Sequence, residues 1–199
     1  LAKVDMVGTV CVFCGSSEGA REEYAEAARG LGTALAGRGM RLVFGGGRVG
    51  LMGVVADAVL DAGGEAVGVM PEALLEKEVG HQGLTELRVA GTMHERKAIM
   101  ADLADAFVAL PGGYGTFEEF LEMLTWAQLS LHEKPCGLLD TAGFYRPLVS
   151  LFDHAASEGF VRAEHRSLVL LENDPERMLN LLQSHTPPAT GKWVVPEEL

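Results

Sequence analysis

The chain is short of positive charge. Sixteen lysines and arginines stand against 28 acidic residues, for a net charge of −12. A surface of that sign does not grip nucleic acid or anionic lipid, so any phosphate must be held locally, by loops and a few cations. Long apolar runs are also missing. None approaches the roughly 18 residues a membrane helix needs, and no signal-peptide pattern opens the chain, so the expected setting is the cytoplasm. Cysteine is sparse, and three cannot all pair. Cys11 and Cys14 form a C-x-x-C match inside an apparent strand, where an offset of three sends the side chains to opposite faces and disfavours chelation or a redox pair. No G-x-x-x-x-G-K-[ST] loop occurs. His94-Glu95-x-x-Ala98 lacks the second histidine of a zinc-protease motif, and no metal site is expected.

What remains is a chain of 199 residues, 48% hydrophobic and carrying 25 glycines, which suits an α/β protein. The expected organisation is one domain over residues 1–184 and a loose tail over 185–199, anchored by Trp193. Apolar runs at Val7–Cys14, Arg41–Phe44, Glu65–Met70, Glu86–Val89, Ala106–Leu110, Cys136–Leu139 and Ser167–Leu171 read as strands. Between them, helical spacing runs over Arg21–Arg38, Leu51–Ala62, a segment starting at Thr92, Phe117–Leu131, Tyr145–Glu158 and Pro175–Leu182. Pro71–Leu84 reads as a surface loop or short helix. Strands alternating with helices predict a Rossmann-like, doubly wound, mostly parallel sheet of about six or seven strands with helices on both faces.

Three glycine-bearing loops fall at the carboxyl ends of strands, where such folds bind ligands. The first is Cys14-Gly15-Ser16-Ser17. The second, Gly45-Gly46-Gly47-Arg48-Val49-Gly50, satisfies the G-x-G-x-x-G dinucleotide fingerprint, but the next strand ends Gly68-Val69-Met70-Pro71 without the ribose-binding acid, so it fits a phosphate loop better than an NAD site. The third is Pro111-Gly112-Gly113-Tyr114-Gly115-Thr116-Phe117-Glu118-Glu119, a turn into a helix whose free N–H groups and dipole suit an anion. Its glycines are expected to supply positive φ and close backbone approach. The loops converge only if the first strand lies between the second and the one ending at Leu110.

Thr116 and Glu119 have the spacing of a capping box, as do Thr92 and Glu95. That box accounts for Glu95. It does not account for Arg96 and Lys97, cations near the positive end of a helix, unless something negative faces them. For Glu119 a second role competes with capping. A carboxylate about 5 Å from a phosphate costs on the order of 3 kcal/mol at an effective dielectric of about 20, and a cap could be a neutral glutamine. An acid kept there faces past the phosphate toward the sugar, where positive charge appears when a C1′–N bond breaks. The apolar positions of the Phe117–Leu131 helix run round more than one face, which predicts cover by a second subunit.

The Pro111–Glu119 stretch, with Met93-His94-Glu95-Arg96-Lys97 and Gly45-Gly46-Gly47-x-x-Gly50-Leu51-Met52-Gly53 before it, resembles the LONELY GUY family, enzymes also labelled possible lysine decarboxylases. The resemblance runs from about Val10 to Leu171. It implies hydrolysis of the N-glycosidic bond of an adenine nucleotide 5′-monophosphate, plain or N6-prenylated, to free base and ribose 5-phosphate, in a homodimer or an assembly of dimers. It casts Arg96 and Glu119 as the catalytic pair. Substrate contacts fall to Gly15, Ser16, Gly45, Gly46, Gly47, Gly50, Met93, Lys97, Pro111, Gly112, Gly113, Gly115 and Thr116, with no cofactor. Two other readings stay open. One is a non-catalytic AMP-binding module on the same loops. The other is a pyridoxal-phosphate decarboxylase, for which Lys97 is the one of five lysines near the expected site.

Overall fold

A computed structural model describes residues 7–75 and 80–188; Trp193 and the rest of the expected tail beyond 188 lie outside them. The strands are β1 (Thr9–Phe13), β2 (Arg41–Phe44), β3 (Ala66–Pro71), β4 (Glu86–Ala90), β5 (Ala106–Ala109), β6 (Cys136–Leu139) and β7 (Val169–Glu172). The helices are α1 (Glu22–Gly37), α2 (Gly50–Asp61), α3 (Glu72–Leu75), α4 (Met93–Leu103), α5 (Tyr114–Gln128), α6 (Arg146–Ser157), α7 (Ala163–Arg166) and α8 (Pro175–Ser184), with a 3-10 turn at Thr141–Gly143.

Every strand pairing is parallel, in the order β4-β3-β2-β1-β5-β6-β7. β1 is central in this order, and all five of its residues are buried, as a strand covered by helices on both faces requires. Its neighbours are β2 and β5, as the three loops require. The chain winds outward from β1 to β4 and then restarts at β5 on the other side of β1. That reversal is the switch point at which open α/β sheets bind ligands, and the turns after β1 and β5 flank it.

Alternate residues of β1 sort the core into two layers. Val10 and Val12 pack with Leu31 and Leu35 of α1, Val55 and Val59 of α2, and Leu179 of α8. Cys11 and Phe13 face Met100 of α4, Phe120 and Met123 of α5, and Tyr145. Cys11 and Cys14 therefore lie on opposite faces, and burial pushes both thiols well above their usual range. Among the described residues, no helix is long and apolar enough to cross a membrane.

Candidate active site

The three glycine turns meet through backbone bonds. Gly15 N–H donates to Pro111 O at 3.1 Å, and Leu51 N–H donates to Gly15 O at 3.0 Å. Gly50 sits at φ +59°, and a β-carbon there would run into the backbone of Ser16 and Ser17, so the second turn rides directly over the first. The loop after β3 closes on the same turn, with His81 N–H donating to Gly46 O at 3.0 Å. Tyr145, buried behind the third turn, donates its hydroxyl to Leu110 O at 2.6 Å and fixes the carbonyl just ahead of Pro111.

The start of α5 differs from the sequence expectation. The helix begins at Tyr114 and its cap position is Gly113, which makes no side-chain capping bond. Thr116 is thus within the first turn, buried, and not the N-cap, and Glu119 closes no capping box with it. The positive φ expected in this turn is absent too: such glycines include Gly46 and Gly50 but none of Gly112, Gly113 and Gly115. Close approach is what the turn requires. A β-carbon on Gly112 would strike the Thr116 side chain and come within 2.8 Å of Gly15 N, whereas one on Gly113 or Gly115 would meet nothing within 4 Å. The first-turn N–H groups of Tyr114, Gly115 and Thr116 have no acceptor within the helix, so they are the donors this turn can offer to an anion.

Glu119 turns away from its own helix start to Arg96, with Nη1 to Oε1 at 3.1 Å and both side chains nearly buried, 11% and 13% exposed. Arg96 is held from behind, its Nε–H donating to Val69 O at 2.9 Å at the end of β3. Its other terminal nitrogen lies against Gly45, where a β-carbon would collide with it. Burial raises the Glu119 pKa; Arg96 and Lys97 pull it down, and Glu118 and Glu122 add to the rise.

α4 starts at Met93, capped by the Thr92 hydroxyl, which accepts from Glu95 N–H at 3.1 Å. The second half of the expected box is shifted by one residue, because the Glu95 carboxylate accepts from Gly91 N–H at 2.7 Å rather than from Thr92. Met93 is exposed at the helix start.

Lys97 does not stand beside the glycine turns as a free cation. Its Nζ lies 2.5 Å from Glu118 and 3.0 Å from Glu122, both on α5. The other described lysine, Lys134, donates to Ala101 O at 2.7 Å. Neither offers the free amine a Schiff base needs. Among the described residues no cluster of three or more histidine, cysteine or acidic side chains could hold a metal.

A cavity of about 250 Å³ opens over the first and third turns, walled by Gly15, Ser16, Gly112 and Gly113 and flanked by Tyr24 and Phe144. Arg96 and Glu119 do not line it; Arg96 lies against Gly45 of the second turn instead, and Glu119 pairs with Arg96. The two aromatic walls had no signal in the sequence, since they come from α1 and from the segment after β6. Lys97's partners left a faint one, two acids spaced i and i+4 on the helix that carries Glu119.

A family model described as "Possible lysine decarboxylase" matches residues 52–182. Cytokinin riboside 5′-monophosphate phosphoribohydrolases are similar over most of their length. The one from Rhodococcoides fascians is 52% identical over 88% of this chain and 89% of that protein, and one from Arabidopsis thaliana is 46% identical over 90% and 84%. One from Oryza sativa subsp. japonica is 48% identical over 89% and 74%. Among solved structures, the molybdenum cofactor binding protein of Rippkaea orientalis superposes with a TM-score of 0.68 at 22% identity, over 90% of this chain and 98% of that one. That likeness is one of fold.

Proposed function

The chain belongs to the family of cytokinin riboside 5′-monophosphate phosphoribohydrolases, and from that membership we propose that Arg96 and Glu119 form its catalytic pair. The enzyme hydrolyses the N-glycosidic bond of an adenine nucleotide 5′-monophosphate, giving free base and ribose 5-phosphate. The observation that carries the assignment is the nearly buried ion pair between α4 and α5, beside the Gly45 turn.

The substrate phosphate rests on the first-turn N–H groups of α5 and on the Gly15 and Gly45–Gly47 turns, where helix-start dipoles and backbone donors take the place of a basic surface. Arg96 faces the phosphate side and offsets the carboxylate. Glu119, ionised, faces the sugar. As the C1′–N bond lengthens, positive charge grows on the ribosyl ring, and a fixed carboxylate in a poorly hydrated site stabilises it or orients the attacking water. The scheme calls for neither metal nor organic cofactor. A second copy of the chain covers the outer side of α5 and α6, where Leu121 and Leu151 are exposed.

Incubation with AMP and with N6-prenyl-AMP, followed by chromatography, should yield base and ribose 5-phosphate in equal amounts. Nucleotide that binds and is recovered intact would instead make the protein a carrier.

A further inference from the structure

Arg96 and Lys97 are neighbours on α4, yet they serve different partners on α5. Lys97 bridges Glu118 and Glu122, which lie one helical turn apart with Glu119 between them. The Lys97 side chain is only 9% exposed. Oε2 of Glu122 is buried and has no aligned hydrogen bond, so its 3.0 Å contact with Nζ is an ion pair, and Lys97 is the charge that offsets it. Burial alone would lower the Lys97 pKa; the hydrogen bond to Glu118 and the charges of Glu118 and Glu122 outweigh it and the net shift is upward, so the ammonium stays charged.

We infer that Lys97 is a positioning residue for the Arg96–Glu119 pair: it neutralises the two carboxylates that flank Glu119 and sets the spacing of α4 and α5 where that pair meets, without touching substrate. The inference rests on the catalytic reading of Glu119. The charges that act on Glu119 are Arg96 and Lys97 from α4 and Glu118 and Glu122 from α5; the thiols of Cys11 in β1 and of Cys14 just after it also feel its carboxylate, and burial keeps both neutral. Without Lys97, two negative charges confront Glu119 and Arg96 alone opposes them. Glu119 would then hold its proton to higher pH, and α5 would be free to draw away from α4.

The test is the pH dependence of AMP hydrolysis in Lys97→Met, Lys97→Arg and the triple variant Lys97→Met/Glu118→Gln/Glu122→Gln. For Lys97→Met the acid limb of kcat should move up by about one pH unit and kcat near neutrality should fall about tenfold, with KM within about threefold. Lys97→Arg should keep the wild-type profile. The triple variant should recover the acid limb, because the charges that Lys97 offsets are gone. A raised KM with an unmoved profile would make Lys97 a phosphate ligand, and no change at all would make it an ordinary ion pair; either overturns the inference. Should Lys97→Met fail to fold, Glu118→Gln with Lys97 intact should move the acid limb down, and an unmoved limb counts against it equally. Full turnover in Glu119→Gln would remove the catalytic reading itself, an outcome separate from an inactive Glu119→Gln alongside an indifferent Lys97→Met.

Discussion

Arg96 meets Glu119 at 3.1 Å across two helices while the carbonyl of Val69 holds its Nε–H at 2.9 Å. The guanidinium is thus aimed from both ends before any ligand arrives, and little reorganisation is left for the reaction itself. Glu119→Gln keeps the shape and an oxygen for Arg96 but removes the charge that opposes the ribosyl cation. Turnover of AMP should fall by about a hundredfold or more, while the dissociation constant for AMP changes little. Calorimetric binding beside a base-release assay reads both. Near-normal turnover would return Glu119 to a structural part.

The same substitution should alter stability in a pH-dependent way. Burial raises the folded-state pKa of Glu119 despite Arg96, so the ionised carboxylate costs stability at neutral pH, and protonation removes that cost. The unliganded Glu119→Gln protein should therefore melt higher than wild type at neutral pH. Its advantage should shrink as pH falls through the folded-state pKa and vanish below the unfolded one. A difference in melting temperature that stays constant with pH would contradict this.

Two glycines should separate binding from catalysis. Gly112→Ala drives a β-carbon against Thr116 and Gly15 and must open the turn that presents the α5 N–H groups. We expect KM for AMP to rise by about tenfold or more, with a smaller effect on kcat. Gly45→Ala instead presses on the Arg96 guanidinium, whose Nε is already fixed, so the pair with Glu119 must shift. Here kcat should fall by roughly tenfold to a hundredfold, since small misplacements of catalytic groups are costly. Initial-rate kinetics on the two variants decide the matter; the same kinetic signature in both would dissolve the distinction.

The bounds of β2 and β6 were legible because each is a short apolar run that begins at a charged residue or a proline boundary and ends at glycine or aspartate. The place of β1 followed from a functional constraint, the convergence of three loops, rather than from any property of its own residues. Short-range chemistry misled at the start of α5. A threonine three residues before a glutamate looks like a capping box, but the chain turns at Gly113, and the helix starts two residues ahead of Thr116. α7 is four residues long, too short to show a period. Lys97 was placed near a phosphate because its helix start was correctly located; that it pairs with Glu118 and Glu122 is a matter of how α4 and α5 lie side by side, and tertiary contacts of that kind leave almost no local mark.

The acid limit of stability should be set in part far from the site, by His132. Both ring nitrogens are engaged in the neutral form: Nε2 lies 2.9 Å from Met123 O, and Nδ1 accepts from Lys134 N–H at 3.1 Å. Protonating the ring would cost the Nδ1 acceptor and place a charge against Phe107 in a largely buried position. Burial, with some help from Lys134 and against the pull of the Met123 carbonyl, lowers its pKa to about 4 from an ordinary 6.5. In the unfolded chain the ring takes up a proton as pH falls through 6.5, while the folded protein does not until about pH 4. Stability from this group is therefore full above 6.5 and is lost progressively as pH falls toward 4, with a slope approaching one proton per molecule. Urea melts across that window should show the loss in wild type, and His132→Gln, which keeps one donor and one acceptor but cannot take the proton, should flatten it. An identical slope in the variant would assign the acid sensitivity to other groups.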